Sequence, residues 1–358
     1  MKNAGLSLGL LTFFINFLAS LGLQKEIYLA YSRFIFPVIR TIYDNTIGNL
    51  PFPSFYLPFF GLIIYLITFL YNYFKSNKIN NNKHSCKSIM LFIASALGWI
   101  YFLFNFLWAF NYYRPSLEST LELPKIEIDS NILVNELTQV TETLNSQKSH
   151  LVRNKAEWNE KPDLKKLEDD IRISQVDLIH GWGDELSGRV RVRLLYPKGL
   201  LLSISTAGVY IPFSCEGHID PGMHPLQWPF TIAHEMAHGY GYTDEGECNF
   251  IGFLTCIQTK DAYIQYSGWL GYWRYLFFQA KELSPEIAAE IYCNLTPEVV
   301  SDLTAIRRDL NNYPDIFPWL RDAMYDYYLK SQGIDKGLQS YEGIISLVLS
   351  WKNSKWDL

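Results

Sequence analysis

Three long apolar runs crowd the first third of this chain and limit what it can fold into. Leu6–Leu23, Phe55–Phe74 and Ile89–Phe110 each approach the ~20 residues that a helix needs to cross the hydrocarbon core of a bilayer. Lys2 and the apolar run after it have the look of a signal peptide, but no A-x-A site follows and further spans come after. The first run is therefore expected to be a retained span. Between the first two runs, Ile27, Tyr31, Phe34, Ile35, Val38, Ile39 and Ile42 recur at helical spacing, while Glu26, Arg33, Arg40 and Asp44 are polar. That pattern predicts an amphipathic helix over about 27–45, lying in the interface against membrane lipid, with a helix packed against the soluble domain as the alternative.

Lys75, Lys78, Lys83 and Lys87 form a short basic loop between the second and third runs, which the positive-inside rule places in the cytoplasm together with the N-terminus. Three crossings would put everything after Tyr112 outside the cytoplasm of a multi-pass cell membrane protein. A charged fraction of 19% and an aromatic fraction of 16% suit that class. The net charge is −5 and no Lys/Arg block is interleaved with aromatics, so a nucleic-acid partner is not expected. The five cysteines, Cys86, Cys215, Cys248, Cys256 and Cys293, are odd in number and lack a CxxC pair. They argue against a disulfide scaffold or a cysteine zinc site, and leave room for one bridge among the last four in an oxidising compartment.

Residues 1–114 thus read as a membrane domain. Leu117–Lys125 reads as a polar connector. Asp129 or Ser130 caps a helix striped by Leu133, Leu137, Val140 and Leu144, and Pro162 opens a second through Leu164, Leu167 and Ile171 toward Leu178. These two helices, able to form a hairpin, make a helical connector over 115–185. From 186 onward the period changes. Arg189, Arg191 and Arg193 alternate with Val190, Val192 and Leu194 as in a half-exposed strand, and Leu200–Ile204 and Gly208–Pro212 read as strands too. Beyond Lys260 the pattern is helical, with cap-plus-proline starts at Ser284-Pro285 and Thr296-Pro297. The expected fold is an α-helical membrane region of three transmembrane helices, followed over 186–358 by a mainly helical α+β domain with a small sheet ahead of one special helix.

That helix carries His234-Glu235-Met236-Ala237-His238, an HExxH motif. Pro225 and Pro229 mark its start; Gly239 and Gly241 mark its end, with Gly241 as a left-handed stop. At about 15 residues with polar ends it is too short and too wet to span a bilayer. Residues four apart share a helix face, so both imidazoles can meet one metal ion, and Glu235 beside them is the carboxylate that a zinc hydrolase uses as a base. A third ligand is required, and Asp244, Glu245 and Glu247 compete for it. Asp244 completes H-x-x-G-x-x-D from His238, yet it is also the natural N-cap of the next helix, with Glu247 as its capping-box partner. Glu245 would then begin that helix facing the motif, with Asn249 one turn on to orient a ligand. The order of preference is Glu245, Glu247, Asp244. Tyr240, Tyr242, His218 and Tyr210 are candidate oxyanion donors, each with an ordinary packing role as the competing reading. His218 sits with Glu216 and Asp220 in a Gly/Pro-rich loop where exposure is the default. The strand before the motif helix can take an extended peptide by edge pairing.

Glu245-Gly246-Glu247-Cys248-Asn249-Phe250, after HExxH-x-x-Gly, resembles the ExEANF element of a bacterial membrane-protein family of unknown function. That family has three spans followed by a zincin-like domain. The stretches WAFNYYRPS (108–116), GVYIPF (208–213), YSGWLGYWRYL (266–276) and YLKSQGIDKGLQSY (328–341) are similar to further parts of it, so the resemblance covers nearly the whole chain. Cys248 stands where the family has Ala, and Tyr325 where Asn is usual before Asp326. The family in turn is similar to gluzincin peptidases, whose third ligand is the Glu of E-x-x-x-D/N. The resemblance implies a gluzincin-like zinc metallopeptidase domain, Zn2+ held by His234, His238 and Glu245 with Asn249 behind, and a peptide or protein substrate. The expectation is a membrane-anchored zinc-dependent hydrolase that cleaves peptide bonds outside the cytoplasm. The alternative is a non-catalytic zinc-binding membrane sensor or scaffold. Nothing in the sequence fixes an oligomeric state.

Overall fold

A computed structural model of the chain describes residues 4–80, 86–153, 162–316, 318–319, 323, 326–327 and 343–356. The protein is mostly helical and divides into two compact units. One holds Met1–Arg114 with the short segments Ser187–Arg189 and Ile211–Glu216; the other holds Pro115–Leu186, Val190–Tyr210 and Gly217–Leu358. The side chains of the basic loop and the stretch 328–341, with Tyr325, lie outside the described residues.

In the first unit, α1 (Ala4–Leu18) continues through a kink at Gly22 into α2 (Gln24–Ala30) and, past a π-turn at 31–35, into α3 (Phe36–Asn45). This run and Met90–Leu107 of α5 (Cys86–Leu107) are long and apolar enough to cross a membrane; α4 (Tyr56–Asn80) is apolar over Tyr56–Phe69. α1 packs on α5 through small residues. A Cβ on Gly98 would stand 2.2 Å from the carbonyl oxygen of Gly5, and one on Gly9 would stand 2.8 Å from the Cα of Gly98. Close backbone approach of this kind is how helices associate where lipid removes any hydrophobic drive between them. Asn16 adds polar contacts: it donates to Asn105 Oδ1 at 3.2 Å and accepts from Tyr113 Oη at 2.9 Å.

Around α3 the expected polar side divides. Phe34, Val38 and Ile42 are exposed, as are the polar Glu26 and Arg33, but Arg40 and Asp44 are buried. Arg40 is fully buried, pairs with Asp44 at 2.9 Å and donates to the carbonyl of Cys215 at 2.7 Å; Asp44 also accepts from the N–H of Arg189. These two charges are buried, and they are paired and hydrogen-bonded as burial demands.

In the second unit, 117–125 is not a polar connector. It forms α6 (Leu117–Thr120) and buries Leu117, Leu121 and Leu123. α7 (Ser130–Arg153) is capped by Asp129, whose Oδ1 accepts from the N–H of Ile132, and buries the Leu133, Leu137, Val140 and Leu144 stripe. α8 (Leu164–Gly181) starts after Asp163, which caps it. The two do not make a hairpin: α7 packs mainly on α11 (Ala262–Leu283), and α8 on α9 (Trp228–Gly239) and α10 (Glu245–Gln258). α10 is buried on all sides from Glu245 to Cys256, so it forms the centre of this unit. α12 (Pro285–Cys293) and α13 (Pro297–Asn311) begin at the two prolines, and α14 (Gly343–Lys352) packs on α10 and α11.

The small sheet has three strands in the order β1-β3-β2: β1 (Val192–Leu194), β2 (Gly208–Ile211) and β3 (Glu216–Ile219). β1 and β3 are parallel, with Val192 opposite Gly217 and Leu194 opposite Ile219. Two expectations change here. Leu200–Ile204 is not a strand: it is a turn closing in a 3-10 helix at Leu202–Ile204. The loop expected to expose Glu216, His218 and Asp220 contains the central strand, and all three side chains are fully buried. Asp220 is held by four backbone N–H groups, those of Gly199, Gly222, Leu201 and Leu202, at 2.6–3.2 Å. Cys215, Cys248, Cys256 and Cys293 are free thiols, so none of the four forms the bridge that the sequence left open.

Candidate metal centre

Local rules set the positions of the site residues. Pro229 occupies the first turn of α9, where a missing N–H costs nothing, and Gly241, at φ +89°, turns the chain out of the helix. Asp244 then caps α10, its Oδ1 accepting from the N–H of Glu247 at 3.0 Å. That cap fixes the phase of α10. Glu245 becomes its first residue and faces back to α9, while the Glu247 carboxylate accepts from the N–H of Leu117 at 2.6 Å. Of the three competing acids, Glu245 alone joins the two histidines in a group of donors able to hold a metal ion.

The geometry is a near-equilateral triangle. His234 Nε2 and His238 Nε2 are 3.1 Å apart, and Glu245 Oε2 lies 3.2 Å from the first and 3.3 Å from the second. Ligand atoms on a tetrahedron with bonds of about 2.0–2.1 Å stand about 3.3 Å apart, so these three atoms fit one face of a zinc tetrahedron. The hydrogen bonds behind the rings fix which nitrogens face it. His234 Nδ1 donates to Asn249 Oδ1 at 2.8 Å, and His238 Nδ1 donates to the carbonyl of Tyr242 at 2.9 Å. Both Nε2 atoms are therefore left bare. Two lone pairs and a carboxylate oxygen converge on one point, and a cation relieves that. Until a cation binds, a proton can take its place: burial opposes ionisation of Glu245, but the charge of protonated His238 and His234 holds its carboxyl well below the usual carboxylate range.

Glu235 lies next to the triangle, 3% exposed, and its Oε2 has no hydrogen-bond partner among the described residues. Burial pushes its carboxyl up to about 7 against the pull of the two histidines. Buried carboxylates are ordinarily hydrogen-bonded, so the unpartnered Oε2 sets Glu235 apart from a purely structural acid. Gly208 and Gly217 of the sheet press on it. A Cβ on Gly208 would lie 2.5 Å from Glu235 Oε1, and one on Gly217 would lie 2.8 Å from Glu235 Cβ.

The candidate oxyanion donors separate. Tyr242 spends its hydroxyl on Asp184 at 2.9 Å and serves the site through its carbonyl. Tyr240 is buried at the end of α9, Tyr210 is buried on β2, and His218 is fully buried on β3. Cys248 does not extend the ligand set: its sulfur lies behind His238, 3.3 Å from Nδ1, and burial pushes the thiol up to about 12. Sequence reasoning missed Tyr275, whose hydroxyl donates to Asn249 Oδ1 at 3.2 Å from α11. No local pattern marks it, although it falls in the YSGWLGYWRYL stretch. The profile of a family described as "Protein of unknown function (DUF3810)" matches residues 31–349. No curated protein and no solved structure matches the chain.

Proposed function

The chain belongs to this family of unknown function, and from its site we propose that it is a membrane-anchored zinc metallopeptidase of gluzincin type, acting outside the cytoplasm. The observation that carries the reading is the 3.1–3.3 Å triangle of His234, His238 and Glu245 with the unpartnered, buried Glu235 beside it. These three residues would hold the ion. When bound, zinc polarises a carbonyl oxygen and lowers the pKa of a water toward about 7. Glu235 accepts a proton from the attacking water and hands it to the leaving amine; the absence of a competing hydrogen bond leaves Oε2 open to that task. Asn249 and the Tyr242 carbonyl hold the imidazoles in the ligating tautomer. β2 lies at an edge of the sheet with Gly208 against Glu235, which suits an extended peptide added as a further strand.

Purified full-length protein should contain about one zinc per chain and cleave members of a peptide library. Glu235→Gln should keep the zinc and lose at least about 100-fold in kcat, the usual range for a general base, whereas His234→Ala should lose the zinc as well. Zinc retained with no cleavage of any peptide would replace this reading with that of a zinc-binding sensor.

A further inference from the structure

A cavity of about 760 Å³ opens in the second unit beside the metal triangle, and neither histidine lines it. Three of its lining residues are one step from the site. Thr231 sits one turn before His234 on α9, Tyr275 supports Asn249, and Ala207 precedes the glycine that touches Glu235. Its volume is that of a ligand pocket rather than a packing defect. The walls are largely apolar, with Leu226, Phe230, Leu270 and Phe278 among them. One cation breaks that surface. Arg274 of α11 lines the cavity and has no hydrogen-bond or ion-pair partner among the described residues. Glu282 and Asp315 also line it, but neither pairs with Arg274, and Asp315 accepts from Ser205. A guanidinium in a partly buried apolar wall without an acceptor is costly unless a ligand supplies one.

We propose that this cavity is the substrate-binding subsite of the metal centre, and that Arg274 recognises a carboxylate of a bound peptide. The inference rests on the peptidase reading only for the word substrate; the pocket and its cation stand apart from the zinc. A single carboxylate fits better than a phosphate. One guanidinium matches it in a two-bond fork, whereas a dianion would meet the field of Glu282 and Asp315 with only one cation to balance it. The carboxylate can come from a peptide C-terminus or from an acidic side chain.

The test uses the full-length Glu235→Gln protein in detergent and fluorescein-labelled pentapeptides built of Gly, Leu and Phe. One peptide has a free C-terminus, one is amidated, and one is amidated with a single internal Glu. Fluorescence anisotropy should show at least tenfold tighter binding of the free peptide than of the amidated one. If the internal Glu restores binding, an acidic side chain serves as well; if not, the site reads the terminus. Adding Arg274→Gln should abolish the distinction while leaving zinc content and thermal midpoint unchanged, and Arg274→Lys should recover part of it. Equal binding of all three peptides, or a preference that survives Arg274→Gln, overturns the proposal. Because binding is read without turnover, a carboxylate preference in a protein whose wild type cleaves nothing would sink the peptidase reading and spare this one. Cleavage indifferent to amidation would do the reverse.

Discussion

At the scale of single residues, the proposed metal site depends on groups outside its three ligands. Asn249 Oδ1 accepts from both His234 Nδ1 and Tyr275 Oη, so one amide oxygen sets the tautomer of a ligand and ties α10 to α11. Removing it frees the ring to rotate and to bind a proton on the wrong nitrogen. Asn249→Ala should weaken zinc binding by about 10–100-fold, the range for such supporting partners, measured by competition against a chromophoric chelator. Tyr275→Phe should cost less, because it leaves the Asn249–His234 bond in place. An unchanged zinc affinity in Asn249→Ala would mean that packing alone holds His234. His238 uses a backbone carbonyl for the same purpose, and no side-chain substitution tests that.

At the scale of elements, packing through glycine makes a sharper demand than propensity does. Gly98 meets the carbonyl of Gly5, a backbone atom that cannot move aside as a flexible side chain can. Gly98→Ala should therefore separate α1 from α5 and cost about 1–3 kcal/mol, as overpacking does, seen as a lower thermal midpoint in detergent. Gly61→Ala is the control: it lies in α4 and its added methyl meets nothing within 4 Å, so its midpoint should hold or rise. The glycines were visible in the sequence, but their facing partners were not, and this divides what could be read from what could not. α12 begins at Ser284-Pro285 because a cap and a fixed φ act within two residues, and α13 begins at Pro297, whose fixed φ suits the first turn although Thr296 makes no cap bond. The motif helix and the phase of α10 were legible for the same reason. β3 was hidden because the polar residues in and just after it find partners far away in sequence: Glu216 at Ser54, and Asp220 in the turn at 199–202. A strand satisfied in that way is buried on both faces, so its polar residues read as a solvated loop. Arg274 and Tyr275 were hidden likewise, since only the packing of α11 brings them to the site.

At the scale of the whole molecule, the proposal of an extracytoplasmic site predicts which side of a membrane the second unit occupies. Among the described residues two helices could span a bilayer, and the basic loop at 75–87 argues for an extracytoplasmic site. The cysteines provide a test built into the chain. Cys215, Cys248 and Cys256 are buried, while Cys293, at the end of α12, is exposed. With Cys86→Ser removing the thiol next to the basic loop, a membrane-impermeant maleimide should report on Cys293 alone. In sealed, right-side-out vesicles it should label the protein to the same extent before and after permeabilisation, and Cys293→Ser should abolish the signal. The exposed Cys293 thiol should stay reactive because Cys215, Cys248 and Cys256 are too buried to pair with it. Labelling that appears only once the vesicles are opened would place the metal centre in the cytoplasm, require an even number of crossings before residue 115, and confine the substrate to intracellular chains.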